Sequence, residues 1–237
     1  MLQIGPVRAD LEVWTIVVAG GSGRRYGRPK QYDLLDHRRV IDVSRDIAES
    51  CSHGVVTVVP GADAVRERGV AGGSTRSESV RAGLAHVPAT AEVICVHDAA
   101  RPLAMRDIYQ RVVDAVAAGA DAAIPGIAVT DTIKVLDAAP ADAADVLGVV
   151  IDTPVRDRLV AVQTPQAFRA AALRAAHASG ANATDDASLI ESAGGRVVVV
   201  AGHATNRKIT EHDDLEWARG QLALRSAAGP TDNGSTP

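Results

Sequence analysis

An apolar run at residues 13–19 opens directly into three glycines, Gly20, Gly21 and Gly23, and then into four basic side chains, Arg24, Arg25, Arg28 and Lys30. Glycines let backbone N–H groups approach a phosphate without Cβ obstruction, and the arginines and the lysine supply neutralising charge. The loop therefore reads as a grip for a nucleotide triphosphate, with Pro29 stiffening the approach to Lys30. Other owners of such a loop fit less well. A dinucleotide fingerprint needs GxGxxG, but the third position after Gly23 is Tyr26, and Gly27 falls one place late. A P-loop needs Gly-Lys followed by Ser or Thr, which is absent. Tyr26 and Lys30 stand at the YxxxK spacing of some dehydrogenases, but inside the glycine loop itself. A solvated basic turn is the plain alternative for the loop taken alone.

Around this loop the chain alternates between two periods. Residues 13–19 and 55–59 read as strands, and between them Val40, Ile41, Ser44, Ile47 and Ala48 share one helical face, which makes a βαβ unit. Pro60-Gly61 ends the second strand. After Gly72-Gly73 a helix carries Val80, Leu84 and Val87 on one face, and a strand follows at residues 93–96. Ile108, Val112 and Val116 mark the next helix, and residues 122–129 a strand interrupted by Pro125-Gly126. Repeated units of this kind predict an α/β fold: a doubly wound, mostly parallel sheet with right-handed crossovers.

From Asp131 the rhythm changes. Residues 131–136 and 149–151 read as two strands of a hairpin joined by an Ala/Asp-rich loop. An arm outside the main sheet cannot bury both faces alone, so it is expected to pack on a second subunit, as a homodimer. The main domain resumes with a helix at residues 168–177, a short helix after Thr184-Asp185, a strand at 196–200 and a last helix near Thr210, where Thr210 and Asp213 have capping-box-like spacing. The expected organisation is one domain, residues 1–225, with the arm inside 131–163 and a disordered tail at 226–237.

Composition narrows what the loop serves. Aromatics make up 3% of the 237 residues, so a chain with 46% hydrophobic content builds its core from Val, Ala, Leu and Ile, which suits a parallel sheet covered by helices. A formal net charge of -4 leaves no broad basic excess for a polyanion, which argues against nucleic acid or a membrane surface as partner. Cys51 and Cys95 sit in apolar contexts without metal or redox spacing and read as reduced core thiols. No apolar run reaches transmembrane length, and residues 1–12 lack the basic head and apolar middle of a leader, so the expected location is cytoplasmic.

Two further clusters carry polar chemistry. Residues 72–79, GGSTRSES, open a helix, where an ordinary N-cap is the plain reading for any single serine. Residues 97–102, HDAARP, follow a strand, where a parallel sheet presents its ligand-binding edge. Asp98 and Arg101 there could simply pair with each other, and His97 reads as a packed histidine.

Together these residues resemble the 2-C-methyl-D-erythritol 4-phosphate cytidylyltransferase family over nearly the whole chain. The resemblance rests on the glycine-rich loop ending in PKQY (29–32), VHDAARP (96–102), DTIK (131–134), QTPQAF (163–168), TDDAS (184–188) and NRKIT (206–210), in that order. It implies a Rossmann-like nucleotidyltransferase that moves a cytidylyl group from CTP to the polyol phosphate, releases pyrophosphate and uses Mg²⁺. Arg25 and Lys30 match the pair that stabilises the transition state. Arg156, on the arm, and Lys208 match the pair that positions the substrate phosphate. Asp98, Arg101, Thr132 and Thr164 match polyol-phosphate contacts, and Ala19, Gly20, Gly21, Gly23, Gly73, Ser74 and Ser79 match positions around the nucleotide. The protein ligands of the metal are left open between Asp98 and none, the ion in the second case being held through the CTP phosphates. The family's dimer, whose arm reaches the neighbouring active site, agrees with the incomplete burial expected of the arm. A ribitol 5-phosphate cytidylyltransferase and a non-catalytic nucleotide-binding paralogue are the two alternative readings.

Overall fold

The computed structural model describes residues 5–20, 26, 29–137 and 147–227, with side chains to residue 225. In chain order the first half contains β1 (Val13–Val18), β2 (Leu34–Leu35), β3 (Arg38–Arg39), α1 (Val40–Cys51), β4 (Gly54–Val59), α2 (Ala64–Glu67), β5 (Val70–Ala71), α3 (Arg76–Leu84), β6 (Val93–Asp98) and α4 (Arg106–Ala117). The second half contains β7 (Ala122–Ala128), β8 (Val135–Asp137), β9 (Val149–Asp152), β10 (Val160–Val162), β11 (Gln166–Arg169), α5 (Ala170–Ala178), α6 (Asp186–Ser192), β12 (Val197–Ala201) and α7 (His212–Ala227).

Eight strands form the central sheet. β5, β4, β1 and β6 lie side by side in parallel. β11 then pairs antiparallel with both β6 and β7, β10 continues along the same flank of β7, and β12 joins the other flank in parallel. The apolar residues alternate as a doubly covered sheet requires. Val13 and Val17 of β1 pack with Ile41, Tyr109 and Val112 of α1 and α4, whereas Ile16 packs with Val80, Leu84 and Leu173 of α3 and α5. Full burial of a side chain the size of Leu173 stabilises the fold by roughly 1.5–3 kcal/mol. Both cysteines are buried and free.

α3 lies close against the sheet because Gly83 carries no side chain. A Cβ there would fall 2.7 Å from Ile16 Cγ2 and 3.0 Å from Val58 Cγ2. The C-terminal half of α3 is therefore seated directly on β1 and β4, which fixes where its N-terminus points.

Several elements depart from the expected bounds. The strand expected to end at residue 96 runs through His97 and Asp98, and α3 ends at Leu84, before Val87. The helix expected from Phe168 starts at Ala170, and Phe168 belongs to β11. Ala167 and Phe168 enter the core clusters on opposite faces of the sheet, so this strand is apolar on both sides and shows no period-two signal. β7 passes unbroken through Pro125 and Gly126. Pro125 carbonyl accepts from Gln163 N–H at 2.7 Å, opposite the interval between β10 and β11, where a missing N–H costs no ladder partner.

The expected hairpin is present as β8 and β9, paired antiparallel with an irregularity between Val135 and Leu136. Its first strand is shorter than expected: residues 131–134 are irregular. The joining Ala/Asp-rich stretch at 138–146 lies outside the described residues. α7 starts at His212, where the Asp214 carboxylate, rather than Asp213, accepts from the N–H groups of Thr210 and Glu211 at 2.8 and 2.9 Å. The helix continues to Ala227, past the expected domain end, and the rest of the expected tail lies outside the described residues.

Candidate active site

The chain winds outward from β1 through β4 to β5, then returns to place β6 on the other side of β1. The crevice between the carboxyl ends of β1 and β6 is thus the point where strand order reverses, which is where open α/β sheets bind ligands. A cavity of about 440 Å³ lies there. It is lined by Val18, Ala19 and Gly20 after β1, by Gly73 to Arg76 and Ser79 at the head of α3, by Asp98 to Ala100 after β6, and by Tyr26, Lys30, Gln31, Lys208 and Thr210 from the flanking loops.

The α3 wall is built by a capping box. Thr75 is the N-cap, its hydroxyl accepting from Glu78 N–H at 3.1 Å, so the cap is the threonine and not one of the serines. Glu78 Oε2 in return accepts from the N–H groups of Ser74 and Thr75 and from the Ser74 hydroxyl. Gly73 makes this possible: a Cβ there would lie 2.3 Å from Glu78 Cβ. Ser79 hydroxyl donates to Thr75 carbonyl at 3.0 Å and faces Gly20. A helix N-terminus lined by small residues in this way favours an anion or a polar base edge.

The β6 wall holds the charges. Asp98 Oδ2 accepts from Lys208 Nζ at 2.6 Å, and Asp98 Oδ1 lies 3.6 Å from Arg76 Nε. Burial alone would push the Asp98 carboxyl up, but Lys208 and Arg76 outweigh it and hold the group well below the usual carboxylate range. Asp98 N–H donates to Thr164 Oγ1 at 3.0 Å, and that hydroxyl sits 3.2 Å from His97 Nδ1. Burial pushes His97 down to about 4, so the ring is neutral near pH 7, in keeping with a packed histidine.

Lys208 is delivered by a pinned loop. Asn206 Nδ2 donates to Thr164 carbonyl at 2.8 Å, Ile209 N–H donates to Ala100 carbonyl at 2.8 Å, and Arg101 donates to the carbonyls of Asn206 and Val162. NRKIT, QTPQ and VHDAARP therefore meet, although they are far apart in the chain.

Of the residues singled out from sequence, Ala19, Gly20, Lys30, Gly73, Ser74, Ser79, Asp98 and Lys208 line the cavity together. Arg101 and Thr164 stand behind the wall: Arg101 braces backbone carbonyls and forms no ion pair with Asp98, and Thr164 supports the Asp98 backbone. Thr132 and Arg156 lie at the base of the arm, outside the cavity of their own chain, where Arg156 donates to Thr130 carbonyl at 3.0 Å. Gly21, Gly23 and Arg25 lie outside the described residues. Sequence reasoning missed Arg76, whose place in GGSTR at the head of a helix was a usable signal, and Gln31, which is buried in the cavity wall.

Among the described residues no group of three or more His, Cys, Asp or Glu side chains could hold a metal ion, and Asp98 is already engaged by two cations. This donor set fits an ion carried on a triphosphate, which is how Mg²⁺ usually enters nucleotide sites. Among the described residues, no helix is long and apolar enough to cross a membrane.

The cavity thus sits at the switch point of an α/β sheet, between the capped head of α3, which carries Arg76, and the Asp98–Lys208 pair. The family model for 2-C-methyl-D-erythritol 4-phosphate cytidylyltransferase matches residues 13–224, and the chain belongs to that family. The 2-C-methyl-D-erythritol 4-phosphate cytidylyltransferase of Rhodococcus jostii is 42% identical over 232 residues, covering 91% of this chain and 94% of that protein. A bifunctional enzyme of Clavibacter michiganensis is 38% identical across 90% of this chain, which spans 55% of that longer protein. The crystal structure of the Thermus thermophilus 2-C-methyl-D-erythritol 4-phosphate cytidylyltransferase superposes with a TM-score of 0.71 at 31% identity, covering 90% of this chain and 100% of that one.

Proposed function

We propose that this chain transfers the cytidylyl group of CTP to 2-C-methyl-D-erythritol 4-phosphate, forming the CDP-polyol of non-mevalonate isoprenoid synthesis and releasing pyrophosphate. The observation that carries the reading is the convergence of Lys30, Asp98, Lys208 and the capped head of α3 on one cavity. A non-bridging oxygen of the acceptor phosphate attacks the α-phosphorus of CTP, and the bond from that phosphorus to the bridging oxygen breaks as pyrophosphate leaves. A phosphomonoester, with a second pKa of about 6, is largely dianionic at pH 7 and needs no strong general base. The task of the protein is to bring two anions together and hold them in line.

In this reading Ala19, Gly20, Gly21, Gly23, Gly73, Ser74 and Ser79 surround the nucleotide, and Arg25 and Lys30 neutralise charge that develops on the triphosphate. Asp98 takes polyol hydroxyls, Lys208 holds the acceptor phosphate, and Arg101 and Thr164 act through the wall they brace. Mg²⁺ bound to the phosphates would supply further neutralisation. The chain works as one domain, residues 1–225, whose arm at 131–163 joins a homodimer and carries Thr132 and Arg156 toward the neighbouring cavity. The exposed apolar residues of the arm, among them Leu136, Val149, Val150 and Ile151, support that arrangement.

Pyrophosphate release from CTP and Mg²⁺ with each candidate acceptor tests the reading. Release is expected with 2-C-methyl-D-erythritol 4-phosphate. Preference for ribitol 5-phosphate would move the chain to the alternative substrate, and tight CTP binding with no release from either would leave a nucleotide-binding paralogue.

A further inference from the structure

Arg76, the first residue of α3, joins the two walls of the cavity. Its Nη1 donates to Asp186 Oδ2 at 2.5 Å while its Nε faces Asp98 Oδ1 at 3.6 Å. Behind it Asp186 is fully buried, and the other oxygen of Asp186 accepts from Nε2 of the buried His177 at 2.9 Å. Contacts thus run from His177 through Asp186, Arg76 and Asp98 to Lys208. Among these side chains Arg76, Asp98 and Lys208 line the cavity, and Lys208, at 45% exposure, is the most open to an incoming ligand.

If Lys208 holds the acceptor phosphate, its ammonium divides its charge and donors between that phosphate and Asp98, and its 2.6 Å hold on Asp98 weakens. Asp98 is mostly buried, and a buried carboxylate stripped of its cations is strongly unfavourable. Arg101 adds its charge near Asp98 but makes no ion pair with it, because its two terminal nitrogens donate to the carbonyls of Asn206 and Val162. Besides Lys208, Arg76 is the cation within ion-pair range of Asp98 among the described residues. Its planar fork spans two carboxylates on two different elements from separate nitrogens, a reach that a compact lysine ammonium does not match.

We propose that Arg76 is a positioning residue that takes over the charge of Asp98 when Lys208 turns toward the acceptor phosphate, and that Asp186 and His177 fix Arg76 for this task. The inference rests on the reaction proposed above. Asp98 then stays ionised and oriented to accept from polyol hydroxyls during the exchange. Asp186 does not line the cavity, so its influence on the acceptor passes through Arg76.

The test is steady-state pyrophosphate release by the full chain, with 2-C-methyl-D-erythritol 4-phosphate varied at saturating CTP and the reverse. Asp186→Asn is expected to raise the acceptor KM about tenfold while kcat and the CTP KM stay within about twofold, and Arg76→Lys to raise the acceptor KM at least as much. In an Asp98→Asn background, measured at raised acceptor concentration, adding Asp186→Asn is expected to change the acceptor KM by less than about twofold, because the charge to be taken over is gone. Equal increases for CTP and acceptor, or the same fold-change with and without the Asp98 charge, would overturn the proposal in favour of a structural role. Thermal melts confirm that each variant is folded, and Arg76→Lys carries the same comparison if Asp186→Asn does not fold. A wild-type chain that releases no pyrophosphate defeats the reaction and this inference with it, a result distinct from an active wild type whose variants keep their acceptor KM.

Discussion

The wall around Asp98 and the hairpin arm are built on opposite principles. At the wall, the carboxylates are buried and each meets a counter-charge within its own chain, as Asp98 meets Lys208 and Arg76, and Asp186 meets Arg76. Along the arm, apolar groups are exposed, with Ile151 at 61% and Val149 and Val150 at about the same level. A buried polar network stays in place only when its members are satisfied, whereas an exposed apolar stripe is stable on its own but gains by being covered. In the function proposed above, the wall serves its own chain and the arm a second copy.

The largest expected effect probes the cavity that the wall faces. Lys30→Ala should lower kcat by about 10²–10³-fold while CTP affinity changes much less, as measured by single-turnover kinetics and equilibrium binding. An unchanged kcat removes Lys30 from the chemistry.

The next probes what lies behind the wall. His97 is held at about 4 by burial, below its ordinary value of 6.5, so the unfolded chain takes up its proton first. Its stabilising contribution is complete above pH 6.5 and is lost as pH falls from there through about 4, by up to about 3 kcal/mol. Denaturant midpoints across that range should show this slope in the wild type and a flatter one in His97→Asn. Equal slopes would clear His97 as the source.

A smaller effect separates the arm from the wall. Ile151→Asp places a charge on the apolar stripe and should yield a monomer in sedimentation equilibrium, with kcat/KM for the acceptor reduced about tenfold and unfolding free energy changed by no more than about 0.5 kcal/mol. Mixing Arg156→Ala with Lys30→Ala chains should restore activity through the one intact site of the mixed dimer. Failure to recover any would mean that the arm serves its own chain.

The smallest touches the scaffold of the α3 wall. Thr75→Ala removes the N-cap and should cost about 1 kcal/mol of stability. A loss no larger than that of an exposed helix substitution would show that Glu78 alone holds the turn.

The sheet was largely legible because Val-rich runs and helical faces have different periods, and β1, α1, β4 and α4 fall close to where those periods put them. β11 escaped because it is apolar on both faces; β7 was legible, but its continuity through Pro125 was not, because Pro125 falls where no partner is lost. Asp98 and Lys208 were legible as site residues through their motifs. Their ion pair was not, since it spans 110 residues, and the same separation hid Arg76 and Asp186 from each other. No local pattern reveals such pairings; the strand order that brings β6 beside β1 creates them.

Gly83 has a consequence for selectivity. With a helix seated so tightly on β1 and β4 that a single methyl group would collide with Ile16, the head of α3 is a mould set before its contents arrive. Discrimination among bases at Gly73, Ser74 and Ser79 would then come from fixed shape, and a Gly83→Ala change, made far from any ligand, would act like a shim under a lens, tilting the whole reading surface at once.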